Sequence, residues 1–429
     1  MSGTVVDNNA SSLSIPTDIA GHMLDLDEDD DLEVFSKNTT QGSSFNPSMQ
    51  TSPGSMINQY KFEEEEEEID TKDIFVTVDD PESYVTAIET YITYRVVTKT
   101  TRSEFDSSEF EVRRRYQDFL WLKARLEEAH PTLIVHPLPE KFVMKGMVER
   151  FNENFIETRR KALNRFLNRI ADHPIFSSTE DFRIFLTADI GALTSHKKQG
   201  PGFLSRMGES VRGLAATVRG VRNRPEEFTA MQEYVEAFGQ NISSLDKVTQ
   251  RIVREQKEYL EDLKECAPTY TLWSNSEEEL AEPLRGMASC LERCFTETEE
   301  QVKELNDNLN PTLHEYVLCT ETLKTVLRRR DIIQAEFEAK TEALLAKHAD
   351  RETIREDLSK MEDRLEWANN ALKSDWTRWK KVMRTDLQSA FMDTAEKNVN
   401  CYEKCLAVWE SFLLSQRTDA EGTQVSDSS

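Results

Sequence analysis

Between residues 74 and 116 apolar and polar side chains alternate with the period of two that marks half-buried strands. Ile92, Tyr94 and Val96 take one face, and Thr93 and Arg95 take the other. The stretch SSEFEVRRRYQDF then passes from strand to helix, with Phe119, Leu122 and Leu126 on one helical face as far as His130-Pro131. A proline-bearing loop, IVHPLPEKF, leads to a second amphipathic helix whose stripe is Ile156, Leu163, Phe166, Leu167 and Ile170. Residues 73–190 therefore predict a small α+β domain, an antiparallel sheet with helices packed on it.

Beyond Pro225 the period changes to three and four. Met231, Tyr234, Val235, Phe238, Ile242, Leu245, Val248 and Ile252 form one stripe, which Cys266-Ala267-Pro268 is expected to break. A second run carries Leu280, Leu284, Met287, Leu291, Phe295, Val302 and Leu305, and Pro311 should kink or interrupt it before it resumes towards Leu345. A third passes through Ile354, Leu365, Trp376, Trp379 and Phe391 to Trp409. Residues 226–415 thus predict three helices of roughly 40–70 residues, each about 60–100 Å long. Stripes of that length need a partner chain to cover them. The five tryptophans Trp273, Trp367, Trp376, Trp379 and Trp409 suit an extensive core or a dimer interface.

Charge divides the rest of the chain. The net charge of −26 argues against a nucleic-acid partner held by a globally basic surface. Residues 1–72 read as a disordered acidic tail and residues 416–429 as a second disordered tail. Within 191–225 there are 7 basic and only 1 acidic side chains, making this linker the single basic island. There Phe203, Leu204, Met207, Val211, Leu214 and Val218 recur at helical spacing with Arg206, Arg212 and Arg219 at their margins, while Gly208, Gly213 and Gly220 weaken the helix in water. The segment suits an amphipathic helix that folds on a membrane or docks on the following domain. No run of 18 apolar residues occurs and the N-terminus lacks a signal-peptide pattern, so a soluble chain outside the secretory route is expected.

Catalytic chemistry finds little support. The seven histidines are scattered, no glycine-rich phosphate loop follows a strand, and no serine or cysteine stands in a nucleophile motif. The six cysteines all lie beyond residue 265 and read as reduced thiols. Cys290/Cys294 and Cys401/Cys405, each four apart, read as small buried helix-face residues rather than metal ligands, since no histidine is interleaved. No cofactor, metal or catalytic residue is expected.

Three basic pieces of the α+β domain can converge: Arg114/Arg115, Lys141 and Arg159. The runs Arg114-Arg115-Tyr116-Gln117-Asp118-Phe119, Pro137-Leu138-Pro139-Glu140-Lys141 and Glu157-Thr158-Arg159-Arg160-Lys161-Ala162-Leu163 resemble the signature of the PX (phox homology) domain, in family order. With the long helices, everything but the N-terminal tail resembles a sorting nexin of the PX-BAR class. That resemblance implies an α+β PX domain followed by an all-α BAR domain, a long curved three-helix coiled coil that dimerises.

It also implies roles for residues. Arg115 would pair with the 3-phosphate of phosphatidylinositol 3-phosphate, Tyr116 would lie against the inositol ring, and Gln117 would face the head group. Lys141 would meet the 1-phosphate, and Arg159 the ring hydroxyls at 4 and 5. A guanidinium matches phosphate bidentately, whereas a loop lysine supplies an adjustable point charge. A surface salt bridge is the competing reading of Arg115. The loop has Pro137-Leu138-Pro139 in place of a full PxxP, which leaves SH3-type recognition without its motif. Arg328-Arg329-Arg330 and Arg378, Lys380, Lys381 and Arg384 are either a membrane-facing surface or a solvated face paired with neighbouring glutamates. The class further implies a BAR heterodimer with sorting nexin four, on the cytosolic face of early and recycling endosomes, acting in protein sorting, recycling and autophagy-related traffic. A coiled-coil scaffold whose PX domain binds protein is the alternative.

Overall fold

The computed structural model describes residues 72–85, 90–140, 153–199, 221–346 and 351–426. Three strands, β1 (Ile74–Val85), β2 (Thr90–Thr100) and β3 (Glu109–Arg115), form an antiparallel sheet in the order β1-β2-β3. Ile74, Val76 and Val78 of β1 and Tyr94 and Val96 of β2 face one core. The β1–β2 ladder slips between Asp79 and Glu82, where Pro81 has no N–H to give and Asp80 takes a φ of 46°. Helices α1 (Tyr116–Ala129), α2 (Glu153–Ala171) and α3 (Glu180–Thr187) share the core of the sheet, and α4 (Ile190–Gln199) lies against α1 and α3.

Helix α2 also closes the sheet edge. Its Asn164 accepts the Val78 N–H at 2.8 Å, its Asn168 donates to the Val76 carbonyl at 2.9 Å, and its Arg160 donates to the Val78 carbonyl at 2.6 Å. Side chains thus satisfy backbone groups that an edge strand would otherwise offer to another chain.

The remainder is helical: α5 (Glu226–Ser274), α6 (Ala281–Glu304), a π turn (Leu305–Leu309), α7 (Asn310–Ala346) and α8 (Arg351–Ser426). The expected break at Cys266-Ala267-Pro268 is corrected, because α5 runs through Pro268 to Ser274. Pro268 and Lys264 are both exposed, so the carbonyl left without an N–H by the proline sits on a face that water reaches. Near Pro311 the helix is not interrupted. The wider π turn immediately before it gives room at Asp307, the carbonyl position that the proline ring would meet in a regular helix. Helix α8 continues to Ser426, past residue 415 where the patterning ends the helical domain.

A second core joins these helices. Phe238 meets Trp379 edge-on at 5.6 Å between ring centroids, Tyr234 meets Trp376 at 5.5 Å, and Tyr316 meets Trp379 at 6.4 Å. Of the predicted α5 stripe, Val235 and Ile242 are buried, whereas Leu245, Val248 and Ile252 stay exposed. The face turned inward there carries Gly239, Asp246, Thr249 and Val253. Exposed apolar residues continue along α8 as Val399, Tyr402, Leu406 and Leu413.

The two cores touch. Ile134, from the loop after α1, is buried in the helical core, and Ala371 of α8 packs against the sheet domain. Around this contact Asp375 accepts the Ile134 N–H at 2.6 Å and lies 2.9 Å from His173 and 2.8 Å from Arg378. Glu315 of α7 pairs with Arg165 at 3.0 Å and Arg169 at 2.8 Å, and Arg169 reaches Asp386 of α8 at 2.6 Å. Arg329 pairs with Glu127 at 3.0 Å.

Candidate functional site

Alternation along β3 decides which arginine can meet a ligand. Arg114 turns inward and is 1% exposed; its guanidinium donates to the carbonyls of Phe185, at 2.8 Å, and Ala188, and burial pushes it down to about 10. The convergence expected of Arg114 with Arg115 is thereby corrected: Arg114 ties β3 to α3 and takes no part in a surface site. Arg113 and Arg115 turn the other way. Arg113 grips both sides of the β1 irregularity through Asp80 and through Glu82, the latter at 2.6 Å.

Arg115 stands where β3 ends and α1 begins, and its backbone N–H is accepted by Asp118 at 2.7 Å. Its guanidinium carbon lies 3.3 Å from the centroid of the Tyr91 ring, which stacks on Tyr84 at 5.5 Å. Next in sequence, Tyr116 donates its hydroxyl to the Pro139 carbonyl, joining α1 to the proline loop. Arg159 of α2 lies between two rings, 4.3 Å from the Tyr116 centroid and 4.4 Å from that of Phe155. Burial raises the Tyr116 hydroxyl above its ordinary value and pushes Tyr94 up to about 12, while the Arg159 charge opposes both shifts. Gln117 is exposed in the first turn of α1.

The structure therefore brings Arg115, Tyr116, Gln117 and Arg159 to one end of α1. Lys141 lies outside the described residues, as do Phe203, Leu204, Met207, Val211, Leu214 and Val218. Sequence reasoning missed Tyr91 and Phe155, the rings on which the two cations rest. Nothing in a strand pattern marks Tyr91, but Phe155 stands four before Arg159 and so shares its helix face.

The basic clusters of the helical domain are divided. Arg330 is 1% exposed, bonded to Asn369 and Asp331 and stacked 4.0 Å over Phe228, and Arg329 and Arg378 are engaged between the domains. Arg328, Lys381 and Arg384 are exposed. Arg222 and Arg224, at the end of the basic linker, pair with Glu342 and Asp331 of α7. Cys290 and Cys401 are buried, and burial pushes the Cys294 thiol, hydrogen-bonded to Cys405, up to about 12. Among the described residues no cluster suited to a metal ion is present, and no helix is long and apolar enough to cross a membrane.

Comparison with known proteins agrees with this layout. The PX domain family matches residues 102–189, and the Vps5 C-terminal-like family matches residues 205–384. Sorting nexin-7 of Mus musculus is 61% identical over 373 residues, covering 87% of this chain and 96% of the relative. Sorting nexin-30 of Xenopus tropicalis is 48% identical over 372 residues, covering 87% and 82%. The cryo-EM structure of the SNX-BAR Mvp1 tetramer shares the fold, with a TM-score of 0.52 at 17% identity over 79% of this chain and 99% of that one. A three-stranded PX domain with its basic site at the head of α1, joined to long BAR-like helices and matched along nearly the whole length of its relatives, places this chain in the sorting nexin family, in the class that couples a PX domain to a BAR-like domain.

Proposed function

We propose that this chain is a peripheral membrane sorting nexin that binds phosphatidylinositol 3-phosphate through its PX domain and senses curvature as half of a BAR dimer. The observation that carries the reading is the gathering of Arg115, Tyr116 and Arg159 at the start of α1, in a chain of net charge −26. Arg115 takes the 3-phosphate, Tyr116 lies against the inositol ring, Gln117 faces the head group and Arg159 takes the 4- and 5-hydroxyls. Lys141 supplies the 1-phosphate contact from the loop that Tyr116 anchors at Pro139.

One head group gives an affinity of about −8 kcal/mol, in the micromolar range, so lasting attachment uses a second contact. Residues Phe203 to Val218 supply it as an amphipathic segment. Leu245, Val248, Ile252 and Tyr259 of α5 with Val399, Tyr402 and Leu406 of α8 are exposed apolar positions suited to a BAR partner, and sorting nexin four is the partner proposed. The site of action is the cytosolic face of early and recycling endosomes, in sorting, recycling and autophagy-related traffic.

Co-sedimentation with liposomes that contain or lack phosphatidylinositol 3-phosphate tests this, with and without sorting nexin four. Pelleting should require the lipid, disappear in Arg115→Ala and increase with the partner. A wild type that ignores the lipid even with the partner present overturns the reading in favour of a scaffold whose PX domain binds protein.

A further inference from the structure

Helix α4 reaches the residue that shapes the arginine pocket. Lys197 pairs with one carboxylate oxygen of Asp118, and the other accepts the Arg115 backbone N–H at 2.7 Å. Asp118 thereby holds the head of α1 in place at the residue whose guanidinium lies over Tyr91. Its charge acts in the opposite sense. A carboxylate one helical turn from a phosphate-binding arginine repels the anion that the arginine attracts.

Lys197 neutralises that carboxylate from 79 residues further along the chain. It is held there by packing: its ammonium lies 5.5 Å from the Trp121 centroid, Trp121 meets His196 edge-on at 5.8 Å, and His196 lies 2.9 Å from Asp181. Leu193 of the same helix is buried.

We propose that Lys197 is a positioning residue of the head-group pocket: docked on α1, it neutralises Asp118 so that Arg115 binds an inositide phosphate at full strength. The proposal rests on the reading of Arg115 given above. Since α4 opens the linker between the two domains, docking of that helix and capture of a head group become thermodynamically coupled, each favouring the other.

The test is calorimetric titration of the full-length chain with water-soluble dibutanoyl phosphatidylinositol 3-phosphate, which removes any contribution from membrane insertion. Lys197→Ala should bind about three- to tenfold more weakly, the loss expected when one neutralising charge is removed. Lys197→Arg should bind like the wild type. Asp118→Asn keeps an oxygen for the Arg115 N–H and drops the charge, so Lys197→Ala combined with Asp118→Asn should recover the affinity lost in the single variant. The proposal is overturned if Lys197→Ala binds like the wild type while Arg115→Ala abolishes binding, or if the double variant stays as weak as Lys197→Ala, which would make the lysine merely structural. An Arg115→Ala variant that binds like the wild type overturns the reading of the pocket itself.

Discussion

Arg114 and Arg115 differ by one position and, on a strand, by a face. The consequence is a clean separation of phenotypes. Arg114→Ala removes the donors to Phe185 and Ala188 and leaves the Phe185 carbonyl in a buried space and that of Ala188 half-buried, a loss on the order of 2–3 kcal/mol. Chemical denaturation should register that loss, while the folded fraction keeps its head-group affinity; unchanged stability would contradict the buried bonding. Tyr116→Phe deletes one hydroxyl and with it the bond to Pro139, expected to cost about 1 kcal/mol and to weaken head-group binding by loosening the proline loop. Titration of the soluble lipid would detect this, and equal affinity would separate the loop from the pocket. The motif RRYQDF was legible in sequence, as was the inward or outward choice in principle. Which arginine faced inward was not, because Tyr94 and Val96 set the phase on β2 and the β2–β3 register, with Tyr94 opposite Arg114, had to carry it across.

Among the elements, long helices betray their number and approximate length but not which apolar stripe faces which neighbour. On α5 the obvious stripe splits: Val235 and Ile242 go inward, Leu245 and Val248 outward. Gly239 explains the inward choice. A Cβ at this position would come within 2.6 Å of the Thr320 methyl on α7, so the missing side chain is what lets the two helices approach. Gly239→Ala should gain helix propensity of about 1 kcal/mol and lose about 1–3 kcal/mol to overpacking. Adding Thr320→Ser removes the offending methyl, and the double variant should be more stable than the sum of the single effects predicts. Denaturant midpoints of the four proteins decide the matter; strict additivity would place the helices further apart than described. Neither proline interrupts its helix: Pro268 sits where water can take the released carbonyl, and Pro311 is accommodated by the π turn before it.

For the whole molecule the decisive feature lay beyond sequence reading: the polar contact between the PX domain and the long helices. Its members, among them His136, Arg165, Arg169, His173, Glu315 and Asp375, are spread over 240 positions and obey no period. Burial opposes the charge of Glu315, but the His136 hydrogen bond and the Arg169 and Arg165 charges overcome it and hold the carboxyl at about 2. Burial, and then the Arg169 charge, lower His136 below its ordinary 6.5. The signs agree. Unfolding lets His136 take up a proton as pH falls below 6.5, and Glu315 does so between 4.5 and about 2, so acid destabilises the folded chain in two steps. Stability measured against pH should fall below 6.5, and His136→Gln should flatten that first step; an unchanged slope would assign it to other groups. Glu315→Gln, which takes the shared carboxylate from Arg165 and leaves Arg169 only Asp386, should cost about 1.5–3 kcal/mol at neutral pH.

That same contact has a bearing on how a dimer would hold a bilayer. A PX domain on a slack tether finds a second head group by chain diffusion, and the advantage of the second capture decays as the tether lengthens. Here Asp375, Glu315 and Asp386 bolt the domain to the rigid helices, so tether entropy drops out and the spacing of two pockets becomes a property of the dimer. Once one pocket is occupied, the second is presented at a high effective concentration to lipid lying at that spacing. Avidity of roughly 10²- to 10⁴-fold is then available on surfaces whose shape matches it, and is lost on those that do not.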